Sequence, residues 1–248
     1  MCYNFYMSQS PHVIQKWPDN LVLVRHGQSV YNEERELVNR GVLKTYSSNV
    51  KEVRNADIPL SAKGKKQAEK TGSFLKREYG NFDVIFVSPF KRAHDTARII
   101  AKHFPKTKFV VEERVREKEF GIADGLTPDE IRTLFPYEYE RKQKEKKYYY
   151  RPIGGESYPD VNLRLWAFLT TIVREYPKAN VLVVSHSAVM LGFRKLLEKI
   201  SEQDLLKIDQ ENELKNCAII GYKFDPSLEP KPKLKLKVYN KIAISMGQ

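Results

Sequence analysis

Residues 21–32 read LVLVRHGQSVYN and residues 181–187 read VLVVSHS. Each opens with four consecutive aliphatic residues, too short a run for a buried helix, which predicts a strand covered on both faces. Pro18-Asp19-Asn20 supplies a turn signal ahead of the first run. Both runs end on a histidine, His26 and His186, two of five in the chain. Outward from this pair, Phe82–Val87 and Phe109–Val111 are further strand candidates. Helices are expected from Pro59-Leu60-Ser61 to about Tyr79, over Lys91–His103, over Tyr158–Tyr176 and over Ala188–Ile200. A shorter one, Thr127–Phe135, carries a capping threonine, a first-turn proline and the capping-box acid Glu130. Ser201–Asp204 forms a second capping-box pattern. Strand–helix alternation of this kind predicts an α/β three-layer sandwich, a mainly parallel sheet with helices on both faces. Near the end, Ala218–Phe224 and Lys233–Tyr239 read as antiparallel strands across a Pro-rich turn. Lys233, Lys235 and Lys237 alternate with apolar residues, as on a protected edge strand. Two segments lack a clear period. Charged Glu33–Asp57 is expected to run over the surface, and Tyr139–Arg151 is rich in lysine and tyrosine.

With 248 residues, 41% hydrophobic and 30% charged, the chain can bury a substantial core and is expected to form a single domain over 1–248, its first 20 residues an extension. No apolar run approaches the roughly 18 residues of a membrane span, and the N-terminus lacks a signal-peptide pattern, so no membrane and a cytoplasmic setting are expected. Cys2 and Cys217 are too few for a disulfide framework or a metal cluster, and no metal-ligand spacing appears. The net charge of +12 fits an anionic partner or simply a lysine-rich surface. No nucleic-acid-binding motif accompanies it, so a nucleic-acid partner is not expected.

In parallel sheets, ligands gather beyond the carboxyl ends of the strands. Arg25 adjoins His26 there, Arg92 follows the second strand and Glu117 the third. A lone histidine after a strand is more often structural than catalytic; its company gives it chemistry. Guanidiniums make bidentate, charge-assisted bonds to phosphate oxygens. Imidazole is a competent nucleophile at neutral pH. A carboxylic acid can protonate a departing alkoxide and later activate water.

These residues sit in an ordered set of motifs. Leu23-Val24-Arg25-His26-Gly27-Gln28-Ser29-Val30-Tyr31-Asn32 is followed by Pro59-Leu60-Ser61-Ala62-Lys63-Gly64 with Gln67-Ala68, and by Ser88-Pro89-Phe90-Lys91-Arg92-Ala93 with Thr96-Ala97. Then come Arg116-Glu117-Lys118-Glu119-Phe120-Gly121 with Gly125, Gly154-Gly155-Glu156-Ser157 with Arg164, and Val184-Ser185-His186. The set, spanning about Leu21 to Tyr239, resembles the histidine phosphatase superfamily, phosphoglycerate mutase-like branch. That resemblance implies a phosphohistidine enzyme acting on a small phosphorylated substrate without metal or cofactor. His26 would be the nucleophile. Arg25, Arg92 and His186 would hold the phosphoryl oxygens, with Asn32 at the rim, and Glu117 would be the proton donor.

Departures from the pattern matter too. Ser187 stands where the family usually has glycine, and either donates to phosphate or caps the next helix. Ile122-Ala123-Asp124 replaces the family's usual aromatic and acid, so the pocket wall there differs. Glu119 is a second possible acid, less well matched than Glu117, and Ser29 reads as a turn residue. Hydrolysis is preferred over mutase transfer because Glu33–Asp57 and Ile122–Asp124 do not align with the mutase segments. A catalytically silent phosphate-binding scaffold is the third reading. Residues 137–157 fall where a lid would lie: Lys142, Lys144, Lys146, Lys147 and Arg151 would steer an anionic ligand and Tyr148, Tyr149 and Tyr150 stack on it, or the segment is a solvated basic helix with its tyrosines packed inward.

Overall fold

The computed structural model describes residues 15–228 and 233–243. Most of the expected N-terminal extension, Cys2 included, and part of the Pro-rich turn lie outside them. The elements run β1 (Asn20–Arg25), α1 (Val30–Asn39), α2 (Ser48–Lys51), α3 (Ala62–Tyr79), β2 (Val84–Val87), α4 (Lys91–Ala101), β3 (Lys108–Val111), α5 (Pro128–Leu134), α6 (Pro136–Tyr149), α7 (Tyr158–Glu175), β4 (Asn180–Ser185), α8 (Ser187–Glu198), α9 (Glu202–Glu211), β5 (Ile219–Asp225) and β6 (Lys233–Lys241). One six-stranded sheet has the order β3-β2-β4-β1-β5-β6. The first four strands in that order are parallel, and β5 and β6 add an antiparallel edge.

The strand runs are continuously apolar because both faces are covered. Leu21, Leu23, Val181 and Val183 point into one core with Leu165, Phe168 and Ile172 of α7 and Val189 and Phe193 of α8. Val22, Val24, Leu182 and Val184 point into the other, against Leu75 of α3 and Ala97 and Ile100 of α4. Alternate Cβ atoms leave opposite faces of a strand, so each run feeds both cores. Each fully buried aliphatic side chain contributes about 1.5–3 kcal/mol. On the edge strand β6, Lys235 and Lys237 are exposed while Leu234 is buried, as the alternation predicts.

The segment Glu33–Asp57 is more structured than its sequence suggests. It holds most of α1, all of α2, and Tyr46 and Val50, which form a small core with Ile58. Helix α1 buries no residue fully; Val30, Tyr31 and Val38 are half-buried against that small core. It begins at a capping box in which Asn32 stands at the third helical position and Ser29 is the cap, more than a plain turn residue. The basic segment 137–157 is largely α6, broken at Lys146, whose φ is 63°. Tyr148 and Tyr150 are buried and Tyr149 is exposed. Tyr148 stacks on Tyr158 at 5.7 Å and accepts from Asn162 Nδ2 at 3.0 Å, so it is packed inward and unavailable to stack on a ligand.

Candidate active site

Strand register brings the predicted residues together. Arg25 pairs with Ser185, and Val87 with Val184, so β1, β4 and β2 end at one level. His26 N–H donates to Ser185 O at 2.9 Å, and Ser88 N–H to Val184 O at 3.1 Å. The imidazoles of His26 and His186 therefore meet, ring centroids 5.0 Å apart. His26 opens onto a cavity of about 450 Å³ whose walls include Arg25, Asn32, Arg92, Glu117 and Ser187. Every sequence-predicted site residue is on that wall or, like His186, directly behind it. Glu119 is not: it pairs with Arg116 at 3.4 Å and borders a separate surface hollow.

His26 Nδ1 lies 2.7 Å from Gly27 O, which can only accept, so Nδ1 carries the proton. Nε2 is left with its lone pair and accepts from Arg92 Nε at 3.3 Å. Burial, then the charges of Arg92 and Arg25, hold the His26 pKa well below the ordinary imidazole value. A neutral, correctly oriented nucleophilic nitrogen results. His186 is likewise kept neutral, by burial, Arg92 and His26. Its Nε2 is 2.8 Å from Ser88 Oγ and its Nδ1 3.6 Å from Glu117 Oε2.

Glu117 is tied down on its backbone side. Its carbonyl accepts from Arg164 Nη2 at 3.2 Å, and its Oε1 from Lys118 N–H at 2.9 Å. Burial raises its pKa against the opposing pull of Arg92 and Arg25, which suits a proton donor at neutral pH. Arg25 Nη1 donates to Leu214 O, and Arg92 Nη1 to Asn55 O at 2.7 Å. Arg25 Nε is buried without a partner among the described residues. Asn32 Oδ1 accepts from Asn216 Nδ2 at 3.0 Å, holding the residue at the rim. Ser187 is the first residue of α8; the cap position falls on His186, so the capping role expected for Ser187 does not hold.

The remaining motif residues are scaffold for this cluster. Gly27 and Gly64 touch backbone to backbone, and a Cβ on Gly64 would sit 2.0 Å from Gln28 O. Gln28 N–H donates to Gln67 Oε1 at 2.8 Å, Ser61 Oγ–H to Gln28 Oε1 at 2.8 Å, and Gly27 N–H to Thr96 Oγ1 at 3.0 Å. The arginine-histidine-glycine turn is thus clamped to the starts of α3 and α4. Glu156 accepts from both Arg164 and Arg116. Sequence reasoning did not single out Tyr31, Arg35, Asn55 or Lys118, all on the cavity wall. Tyr31 and Arg35 lie on the unrecognised helix α1. Lys118 was quoted in its motif without a role, although a lysine beside the candidate acid is a signal for an anion.

The chain belongs to the histidine phosphatase superfamily (branch 1), whose family description matches residues 21–228. It is 29% identical over 178 residues to fructose-2,6-bisphosphatase of Saccharomyces cerevisiae, covering 71% of this chain and 34% of that protein. The chain therefore spans about a third of that relative's length. It is 31% identical over 195 residues to 2,3-bisphosphoglycerate-dependent phosphoglycerate mutase 2 of Gloeobacter violaceus, covering 77% of this chain and 81% of that one. Among solved structures, the alpha-ribazole phosphatase of Shigella flexneri superposes with a TM-score of 0.70 at 19% identity, covering 91% of this chain and 98% of that chain. That likeness speaks for the fold. Among the described residues, no helix is long and apolar enough to cross a membrane.

Proposed function

We propose that this chain is a phosphomonoesterase that works through a phosphohistidine, with the whole chain acting as one domain. The observation that carries the reading is the convergence of the His26 Nε2 lone pair, the Arg92 guanidinium and the raised-pKa Glu117 on one cavity, with the His186 ring buried against His26 and Glu117. Nε2 of His26 attacks phosphorus, the P–O bond to the substrate breaks, and the departing alkoxide takes the Glu117 proton. The Glu117 carboxylate then takes a proton from water as the water oxygen attacks phosphorus. The P–N bond breaks, its electron pair returns to Nε2 and phosphate leaves. Arg25, Arg92 and His186 hold the equatorial oxygens, with Asn32 and Ser187 at the rim. Positioning and charge stabilisation supply most of the catalysis in such transfers. These side chains provide the nucleophile, the donors and the acid without a metal or other cofactor.

The substrate is a small phosphomonoester with a second anionic group. Lys118 is 8% exposed and lines the cavity, yet no carboxylate pairs with its ammonium among the described residues. Its ammonium lies over the Phe120 ring at 5.3 Å, and burial lowers its pKa; an anionic ligand group would supply the opposite charge. Lys142 and Lys147 of α6 line the same cavity, and the segment 137–157 acts as the cover. We assign the reaction to the cytoplasm, in keeping with the free thiol of Cys217.

The test is phosphate release from a panel of phosphomonoesters in the presence of a chelator, for wild type, His26→Ala and Lys118→Gln. Release that disappears with His26→Ala, and a KM raised by Lys118→Gln for bis-anionic substrates only, supports the reading. Isomerisation of 3-phosphoglycerate primed by 2,3-bisphosphoglycerate, without net phosphate release, would make the chain a mutase instead. Binding of inorganic phosphate with neither reaction would leave a silent scaffold.

A further inference from the structure

Ser88 lies at the end of β2, fully buried, and contacts no cavity space of its own. Its Oγ accepts from Phe90 N–H at 3.2 Å and lies 2.8 Å from His186 Nε2. The hydroxyl has a single hydrogen. Were Nε2 the donor in this pair, that hydrogen would have no acceptor among the described residues, since the bonds around Ser88 Oγ involve only Phe90 and His186. Nδ1 would then present a lone pair 3.6 Å from Glu117 Oε2, beyond hydrogen-bond reach even when that carboxyl carries its proton. With the hydroxyl as donor, Ser88 Oγ and His186 Nε2 are both satisfied and only Nδ1 lacks a partner among the described residues. Phe90 N–H feeds Ser88 Oγ, Ser88 O–H feeds Nε2, and the proton of the neutral ring sits on Nδ1. Nδ1 is buried with no hydrogen-bond partner among the described residues, the state of a donor waiting for a ligand atom.

We propose that Ser88 is a positioning residue that fixes the His186 proton on Nδ1, so that this nitrogen donates to a phosphoryl oxygen. The catalytic consequence rests on the phosphohistidine reading; the proton assignment does not. Phosphoryl oxygens only accept, so the opposite tautomer would meet them with a lone pair. An imidazole in the wrong tautomer keeps its geometry and loses its chemistry. Ser88 thereby mirrors Gly27 O: one backbone acceptor and one side-chain donor set opposite protonation patterns toward the cavity. His26 offers a lone pair to phosphorus, and His186 offers a hydrogen to oxygen.

The experiment is ¹⁵N NMR of the histidine rings in the unliganded full chain, with His186 assigned from a His186→Gln spectrum, combined with steady-state kinetics of Ser88→Ala and Ser88→Cys. The wild type is expected to carry the His186 proton on Nδ1. Ser88→Ala should move part of the population to the Nε2–H form and lower kcat about tenfold to a hundredfold, the range for losing one buried hydrogen bond to a reacting group. KM should change less, and the His26 tautomer not at all. Ser88→Cys, a weak donor, should fall between. A wild-type proton on Nε2, or a Ser88→Ala protein with unchanged tautomer ratio or unchanged kcat, would overturn the proposal. If Ser88→Ala does not fold, the wild-type spectrum and Ser88→Cys decide. If no phosphomonoester is hydrolysed by wild type, the phosphatase reading falls while the spectrum still decides the Ser88 assignment.

Discussion

In the proposed mechanism the reacting form at position 26 is neutral imidazole, and burial is what keeps it neutral. Because burial and the neighbouring guanidiniums hold both His26 and His186 well below the ordinary value of about 6.5, acid must go well past that value before the nucleophile is lost. Glu117 works in the other direction: its pKa is raised by burial, and the proton donor is lost as pH rises through that raised value. The expected kcat/KM profile is a plateau extending unusually far into acid, with an alkaline limb set by Glu117. Glu117→Gln should flatten that limb and lower kcat about 10²–10⁴-fold on alkyl phosphates. The loss should be much smaller on p-nitrophenyl phosphate, whose leaving group needs no proton. An unchanged alkaline limb in the variant would show that another group is the acid. The linkage sign follows from the same shift. The folded state holds the Glu117 proton more tightly than the unfolded chain, so this stabilisation is present at low pH and disappears as pH rises through the raised value. Glu117→Gln should therefore shift the urea midpoint upward at pH values above that raised value, where wild type bears a buried carboxylate, and change it less below.

Helix starts do two jobs in this fold: they end strands and they grip the turn that carries the nucleophile. The contact of Gly27 with Gly64 leaves no room for a methyl group, a Cβ on Gly64 falling 2.0 Å from Gln28 O. Gly64→Ala should cost about 1–3 kcal/mol, as overpacking does, and reduce kcat beyond what its stability loss explains, because the turn bearing His26 is what must move. Equal activity at saturating substrate would refute the clamp. Thr127 offers the contrasting case. It caps α5 in a complete capping box, away from the histidines, so Thr127→Ala should cost about 1 kcal/mol by urea unfolding with kcat unaltered. That capping box could be read in advance because its signal is four residues long. Helix α1 could not: its apolar residues are only half-buried, and its cap partner is an asparagine in place of the usual glutamate or glutamine.

Charge acts over the full surface. A net charge of +12 raises the local concentration of anionic substrates around the cavity mouth. Lys142 and Lys144 are exposed on α6. Their joint replacement by glutamine should raise KM several-fold at low ionic strength and little near 0.1 M salt, where the Debye length is about 10 Å. A KM effect independent of salt would instead mark a direct contact. The chain's local patterns specify the layered fold, because the parallel strands β1, β2 and β4 are short apolar runs and helices α3, α4, α7 and α8 each carry a buried stripe at the helical period. They also name the chemistry at the strand ends, because Arg25, His26, Arg92, Glu117 and His186 each follow a strand or its turn. Three things were decided only by packing in three dimensions. Arg25 and Ser185 stand level, so two histidines 160 residues apart meet. Glu117, and not Glu119, faces them. The hydroxyl behind His186 belongs to Ser88. Local sequence sets the period of each element, whereas register between strands and the depth of each polar group depend on how both cores fill. Burial then fixes which proton each buried ring and carboxyl keeps.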